Sequence, residues 1–298
     1  MMHPRHLLAL GSTLAFALSP IRTSALTFDT QVQAAATWAE NLSRTSHLPT
    51  QKSARVFASS ATLASSRQLS SDWLLVTEGE LSIQHVPRYD GLDHLGGGVS
   101  LNLRRKFGLG PYVPVLQLEA SLRGESARES GRNGWQPAAG VRLSQRFTEL
   151  WRASGGAGWT HFIAEHEPFD VQSRRIFLET TFDVTGRWQL SLGAARQRGE
   201  FTANAAGAVW SQALGGALGP AIFNHYNTLA WEVSNTFGPG WVAYRIRDSR
   251  ADQWWLQIAP ALTDQTTLAM RYEAVRVINA IGIDYDSAFW TLSLAHRF

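Results

Sequence analysis

The stretch Ala288-Phe289-Trp290-Thr291-Leu292-Ser293-Leu294-Ala295-His296-Arg297-Phe298, at the end of the chain, changes character at every step. Side chains of an extended strand alternate between two faces. Trp290, Leu292, Leu294, His296 and Phe298 therefore share one face, and Thr291, Ser293, Ala295 and Arg297 the other. The first face is apolar and closes on an aromatic ring; the second is polar and carries a charge. Such a strand suits a wall that separates lipid from water.

The same alternation recurs upstream. In 72–86, Trp73, Leu75, Thr77, Gly79, Leu81 and Ile83 oppose Val76, Glu78, Glu80, Ser82 and Gln84. In 94–107, Leu95, Val99, Leu101 and Leu103 oppose Ser100, Asn102, Arg104 and Lys106; in 113–127, Leu116, Leu118, Ala120 and Leu122 oppose Gln117, Glu119, Ser121 and Arg123. A slip of one residue would turn all these charges into lipid, where an Arg or Lys at mid-depth costs about 2–4 kcal/mol. The phase of each strand is thereby fixed.

Turn residues divide the chain into segments of about a dozen residues, as membrane strands require. The strands expected are 28–42, 53–69, 72–86, 94–107, 113–127, 135–148, 151–165, 173–185, 187–200, 223–237, 240–249, 252–263, 266–280 and 285–298. The fold class is all-β: a closed antiparallel transmembrane β-barrel of about fourteen strands, with twelve as the alternative. The doubtful strand is 240–249, where Tyr244-Arg245-Ile246 breaks the phase begun at Trp241 and Ala243. Either a bulge restores it or the count is wrong by two.

Connections alternate in length. Short turns are read at 263–266, 238–240, 185–187, 148–150, 107–114 and 70–72, and longer polar loops mostly between them, as in barrels with short inner turns and long outer loops. Aromatics mark the short-turn ends: Trp73, Trp151, Trp188 and Trp241 open strands there, and Phe107, Phe147 and Phe237 close them. Amphipathic rings favour a membrane boundary, so these seven are expected to form an inner girdle.

The N-terminus carries Arg5 and His6, an apolar run from Leu7 to Leu18, and small residues at Thr23-Ser24-Ala25. This is the pattern of a secretory signal peptide over 1–25, leaving 26–298 as the barrel. The apolar run is too short for a spanning helix, and no later stretch is long enough for one. Charged residues are 17 %, against roughly 25 % in average proteins, yet mean hydropathy is −0.15. Alternation dilutes apolar residues in this way. The chain has no cysteine, which excludes disulfides and thiolate chemistry. Lys52 and Lys106 are its only lysines. Positive charge is thus nearly all arginine, suited to bidentate contacts with carboxylates inside the barrel or lipopolysaccharide phosphates at its rim. No basic run marks a nucleic-acid surface.

The residues expected to line the lumen are Glu78, Glu80, Arg104, Lys106, Glu119, Arg123, Arg142, Arg146, Glu179, Asp183, Glu232, Arg271 and Glu273. Acidic and basic strands alternate around part of the wall, so opposed charges can order water and sort solutes. Taken singly, each charge is better read as a structural pair with its cross-strand neighbours. The long connection 199–222 is rich in Ala and Gly and carries Trp210. It is expected to fold into the mouth, or else to lie against membrane or a partner at the rim.

No catalytic set emerges. His161 and Glu165 share a strand face but stand about 13 Å apart. His161 and His166 are too few for a metal site and do not share a face. Ser130-Gly131-Arg132-Asn133-Gly134 reads as a Gly-rich turn, and Gly96-Gly97-Gly98 as a strand start. Neither a metal nor a cofactor is expected. A barrel hydrolase is the remote alternative.

With its terminal Leu294-Ala295-His296-Arg297-Phe298, its leader and the turn Lys106-Phe107-Gly108-Leu109-Gly110-Pro111-Tyr112, the chain resembles small Gram-negative outer-membrane β-barrels described as porin-like. The resemblance implies export to the outer membrane and recognition of the set Trp290, Leu292, Leu294, His296 and Phe298 by the barrel assembly machinery. His296 departs from the pattern, where an aromatic is commoner. A passive channel for small hydrophilic solutes is the expected function, with a plugged scaffold or docking protein as the alternative. A monomer is the expected form.

Overall fold

The computed structural model describes residues 27–207, 228, 230–279 and 284–298. The expected leader, 1–25, lies outside the described residues, as do 208–222 of the long connection. The strands are β1 (Thr27–Ala39), β2 (Ala54–Gln68), β3 (Trp73–His85), β4 (His94–Lys106), β5 (Val115–Ala127), β6 (Gly134–Arg146), β7 (Trp151–Ala164), β8 (Val171–Thr185), β9 (Trp188–Ala205), β10 (Trp231–Val233), β11 (Val242–Pro260), β12 (Thr266–Ile278) and β13 (Asp284–Arg297).

All pairings between neighbours are antiparallel. β13 pairs with β1, and β9 pairs with β11, so the sheet closes on itself. Twelve of the thirteen strands form the cylinder; β10 pairs only with the start of β11 and stands off the wall. The count is therefore twelve, the alternative reading, rather than fourteen. Two of the expected strands, 240–249 and 252–263, are one strand, β11. Its pairing with β9 is interrupted between Ile246 and Ser249 and then resumes. Of the strand expected over 223–237, the described part shows only the three residues of β10. Twelve strands give a backbone diameter of about 24 Å, rather than about 28 Å for fourteen.

The alternation read from sequence is the alternation of the wall. Leu81, Ile83, Leu95, Val99, Leu101, Leu118, Leu122, Val141, Leu143, Ile176, Leu178 and Leu192 stand exposed on the outside. So does the terminal set Trp290, Leu292, Leu294 and Phe298, while His296 bonds Thr266 across the strand pair at 2.9 Å. A belt of exposed apolar side chains around a closed cylinder is a lipid-facing surface. Charged and hydroxyl residues occupy the other face of the same strands.

At the inner end, connections of a few residues join β2 to β3, β6 to β7, β8 to β9 and β11 to β12. Aromatics gather there. Phe147 stacks on Trp151 at 4.5 Å and Trp151 lies 6.1 Å from Phe182. The Arg105 guanidinium sits over Trp73 and Phe107 at 5.3 and 4.9 Å, and Trp188 is exposed beside its turn. Phe237 and Trp241 are elsewhere. Both are buried at the opposite end, with Ala54, Val86, Tyr89 and Ala206. The 238–240 turn is therefore not an inner turn. A Gly-Pro-Gly flanked by rings has the local chemistry of a membrane-edge turn, but merging two strands into β11 reverses its end of the barrel.

Candidate functional site

Two structures shape the interior: a segment folded into the outer mouth, and a band of charge and aromatic rings on the wall.

The outer ends of β9 and β11 do not continue the cylinder upward. Ala203, Ala205, Val242, Ala243, Tyr244 and Ile246 are all at most 2 % exposed. A wall extending into solvent would leave one face bare. Here both faces are covered, and the cluster includes Ala251, Val277 and Tyr285, on the inner face of β11, β12 and β13. The hairpin bends inward where Gly199, opposite Ser249, adopts φ +146°, beside the interrupted register in which Asp248 has φ +49°. A Cβ at Gly199 would stand 2.2 Å from the Gln172 carbonyl oxygen, so glycine is required there twice over, by angle and by space.

The hairpin with β10 forms a lid, and it is fastened around the rim. Asn204 Nδ2 donates to the Ser43 carbonyl at 2.9 Å. Thr202 Oγ1 donates to the Pro168 carbonyl at 2.8 Å, and Arg245 to that of Asp170 at 2.9 Å. Glu129 accepts from Ser234 at 2.6 Å and from Thr236 at 2.7 Å. Glu232 meets His166 Nδ1 at 2.7 Å, and Phe237 packs on Tyr89 at 5.0 Å. Four outer loops, 40–53, 86–93, 128–133 and 165–170, are thus tied to one segment. Glu232 is a lid residue, not the wall residue expected from sequence. Below the lid lies a chamber of about 550 Å³, lined in part by Arg44, Arg132, Phe162, Phe169, Thr202 and Phe237.

Glu129 is the charged fastener on the 128–133 loop. Burial would raise its pKa, but the adjacent Arg132 and the hydrogen bonds from Ser234 and Thr236 outweigh burial and hold it below its ordinary 4.5. A depressed carboxylate stabilises the closed lid above about pH 4.5, and that contribution disappears as pH falls through the lowered value. Glu129→Gln keeps the shape and removes the charge. Amide hydrogen exchange over 231–246 should then accelerate about tenfold at pH 7, as expected for weakening charge-assisted bonds. Unchanged exchange would show that Glu129 does not hold the lid.

Deeper in the barrel, the wall carries a sequence of arginines and rings. The cross-strand rung Arg104–Gln117–Arg142–Gly156–Phe177 runs from β4 to β8. The Arg142 guanidinium lies 4.9 Å from the Phe177 ring, and that of Arg175 lies 5.6 Å from Phe177 and 5.5 Å from Trp255. Arg271 sits over Trp255 at 4.9 Å. Arg271 is neutralised by Glu273 at 2.6 Å. Arg104, Arg142 and Arg175 have no ion pair among the described residues, and the Nε of each is buried without a hydrogen bond. Arg142 and Arg175 flank a recess of about 360 Å³ that Glu119, Thr160 and Ser173 also line.

Glycines make room for the rings. A Cβ on Gly193 would stand 2.1 Å from the Trp255 ring, and one on Gly156 would stand 2.3 Å from the Val141 carbonyl and 2.8 Å from Phe177. Gly156→Ala should therefore lower unfolding stability by about 1–3 kcal/mol, as overpacking does, measured by denaturant unfolding in detergent; no change would mean that the wall yields freely.

The remaining expected wall residues have distinct partners. Glu78 accepts from Ser100 at 3.3 Å, and Glu119 from Gln117 at 2.7 Å. Arg123 lies 3.7 Å from Glu80 and 3.3 Å from Glu125. Arg146 pairs with Asp183 at 3.1 Å near the inner end, and Lys106 is exposed at the end of β4. Glu179 accepts from the Trp255 indole at 3.3 Å. Sequence reading missed Arg175, Phe177 and Trp255. Gly156 and Gly193 were the available signal, since glycine inside a strand marks a close approach.

Among the described residues, no hydrolytic arrangement forms around His161. Its Nε2 meets Asp170 Oδ1 at 3.0 Å, Glu165 turns to Asn133 at 3.3 Å, and no hydroxyl joins either pair among the described hydrogen bonds.

No protein-family model matches the chain, and no curated protein matches it. Among solved structures, an outer membrane channel from Pseudomonas putida F1 is similar at 11 % identity, with a TM-score of 0.53 over 95 % of this chain and 100 % of that one. The NanC porin overlays at 8 % identity and 0.43, over 89 % of this chain and 98 % of that one. OmpT, an outer membrane protein of Vibrio cholerae, overlays at 9 % and 0.42, over 94 % and 100 %. The likeness is one of fold, and it rests on the first of these.

Proposed function

This chain, a porin-like outer-membrane barrel in fold, is one that we propose acts as a passive channel for small hydrophilic solutes across the outer membrane. One observation carries the reading: a closed cylinder lined with charge, in which three arginines of the wall, Arg104, Arg142 and Arg175, have no ion pair among the described residues and a buried Nε without a hydrogen bond. A structural pillar has no use for unpaired guanidinium groups on its inner face, because each leaves hydrogen-bonding capacity unmet. Only the Nε atoms are buried, so the terminal nitrogens of these groups stay open to water and passing solutes. We read the lid as closing the mouth in this conformation, so that conduction requires the lid to move.

Reconstitution into planar bilayers tests this. Discrete conductance steps are expected, brief and rare with the lid intact. Silence across many insertions, with and without the lid, would overturn the reading. The lid's many fastenings favour a second reading, a plugged barrel that docks a partner. Under that reading, lid removal abolishes partner capture and the barrel need not conduct. In either case the exposed terminal strand is the segment that the assembly machinery would recognise, and the barrel would act as a monomer.

A further inference from the structure

The outer face of the wall changes abruptly where the apolar belt ends. On β8, exposed Leu178 and Ile176 give way to Arg174. On β9, Leu192 and Ala194 give way to Arg196 and Arg198; on β11, Leu256 and Trp254 give way to Asp252 and Arg250. The register sets these charges side by side. Arg174 is directly opposite Arg198, and Arg198 directly opposite Arg250. Three arginines on three adjacent strands thus stand in one row on the lipid-facing side.

Like charges directly opposite one another destabilise a sheet. The neighbouring carboxylate relieves only the Arg250 end of the row. Asp252 is shared between Arg196 at 2.6 Å and Arg250 at 3.0 Å. Arg276, opposite Asp252, is occupied by Asp284. Arg174 and Arg198 have no ion pair or hydrogen bond from their side chains among the described residues. Their forks are exposed at the level where an apolar belt about 25 Å tall meets the outer headgroups.

We propose that this row is a binding site for the phosphate groups of an outer-leaflet glycolipid, lipopolysaccharide. Guanidinium groups match phosphate oxygens bidentately, and a multiply phosphorylated headgroup screens the mutual repulsion of the row. A lipid fits better than a free anion because the row sits at the top of a surface that already holds acyl chains. Ile176, Leu178 and Trp254 lie directly beneath it, so one molecule can place phosphates on the arginines and its chains on the belt.

The test uses the folded protein in detergent micelles, titrated with lipopolysaccharide, with the same lipid after phosphate removal, and with inorganic phosphate. It involves no conductance and is independent of the channel reading. The variant Arg174→Gln/Arg198→Gln/Arg250→Gln should bind lipopolysaccharide at least about tenfold more weakly, and phosphate removal should weaken binding to the unaltered protein by a similar factor. Arg105→Gln, on the same outer face at the inner end, should bind normally. In micelles without the lipid, Arg198→Gln alone should melt no lower than the unaltered chain, since it relieves repulsion without breaking an ion pair, and it serves for the binding test if the triple variant, which also loses the Arg250–Asp252 pair, folds poorly. Equal binding by the variant, or by the phosphate-free lipid, would sink the proposal. Competition by inorganic phosphate at concentrations similar to the lipid would also overturn it, by reassigning the row to free anions.

Discussion

A barrel lacking 200–248, with Gly199 joined to Ser249 through a two-residue Asn-Gly turn, should conduct steadily where the intact protein is mostly silent. Gly199 and Ser249 already face each other across β9 and β11, so a tight hairpin can close the cut without disturbing the cylinder below. What is lost is the lid: Tyr244 and Ile246 inside the mouth, and the fastenings at Ser43, Glu129, His166 and Pro168. The pore that remains is about 24 Å across at the backbone, less the side chains of the wall. Several independent hydrogen bonds hold the lid, so the intact barrel opens rarely; an opening cost of about 3 kcal/mol corresponds to a duty cycle below about one in a hundred. Deletion should raise mean conductance by about that factor. A deleted barrel that folds, inserts and stays silent would overturn the channel reading.

Much of this was legible in the chain. The phase of β3, β4 and β5 follows from charge alone, because no shifted register keeps Glu78, Arg104 and Glu119 out of lipid. The error in strand number has a physical origin. Tyr244-Arg245-Ile246 loses the period of two because both faces of that segment are covered by protein, so it no longer separates lipid from water. A sequence reader sees the broken alternation, suspects a bulge or a miscount, and cannot tell from pattern that the strand has left the wall. The same change misplaced Phe237, Trp241 and Glu232. The arginine–aromatic band was half visible. Arg142 and Arg271 fall on the polar phase of their strands. In Arg174-Arg175 and Trp254-Trp255, by contrast, identical neighbours occupy opposite faces, and only the pairing register says which member looks inward.

The sharpest contrast between the two faces is available at one pair of neighbours, Leu178 and Glu179 on β8. Leu178 is 66 % exposed on the outside, in the middle of the apolar belt, whereas Glu179 accepts a hydrogen bond from Trp255 within the lumen. Leu178→Arg places a guanidinium among acyl chains and should destabilise the barrel in a phospholipid bilayer by about 2–4 kcal/mol. Glu179→Gln keeps an acceptor for the indole and stays in water, so it should cost under about 1 kcal/mol. Denaturant titration of both variants in vesicles, followed by tryptophan fluorescence, reads the difference directly. In detergent micelles, which deform readily around a charge, the Leu178→Arg penalty should shrink. Were the two variants equally stable in the bilayer, Leu178 would not face lipid, and the cylinder would have to be reassigned as a water-soluble one, because no other arrangement makes an arginine free of cost at that position.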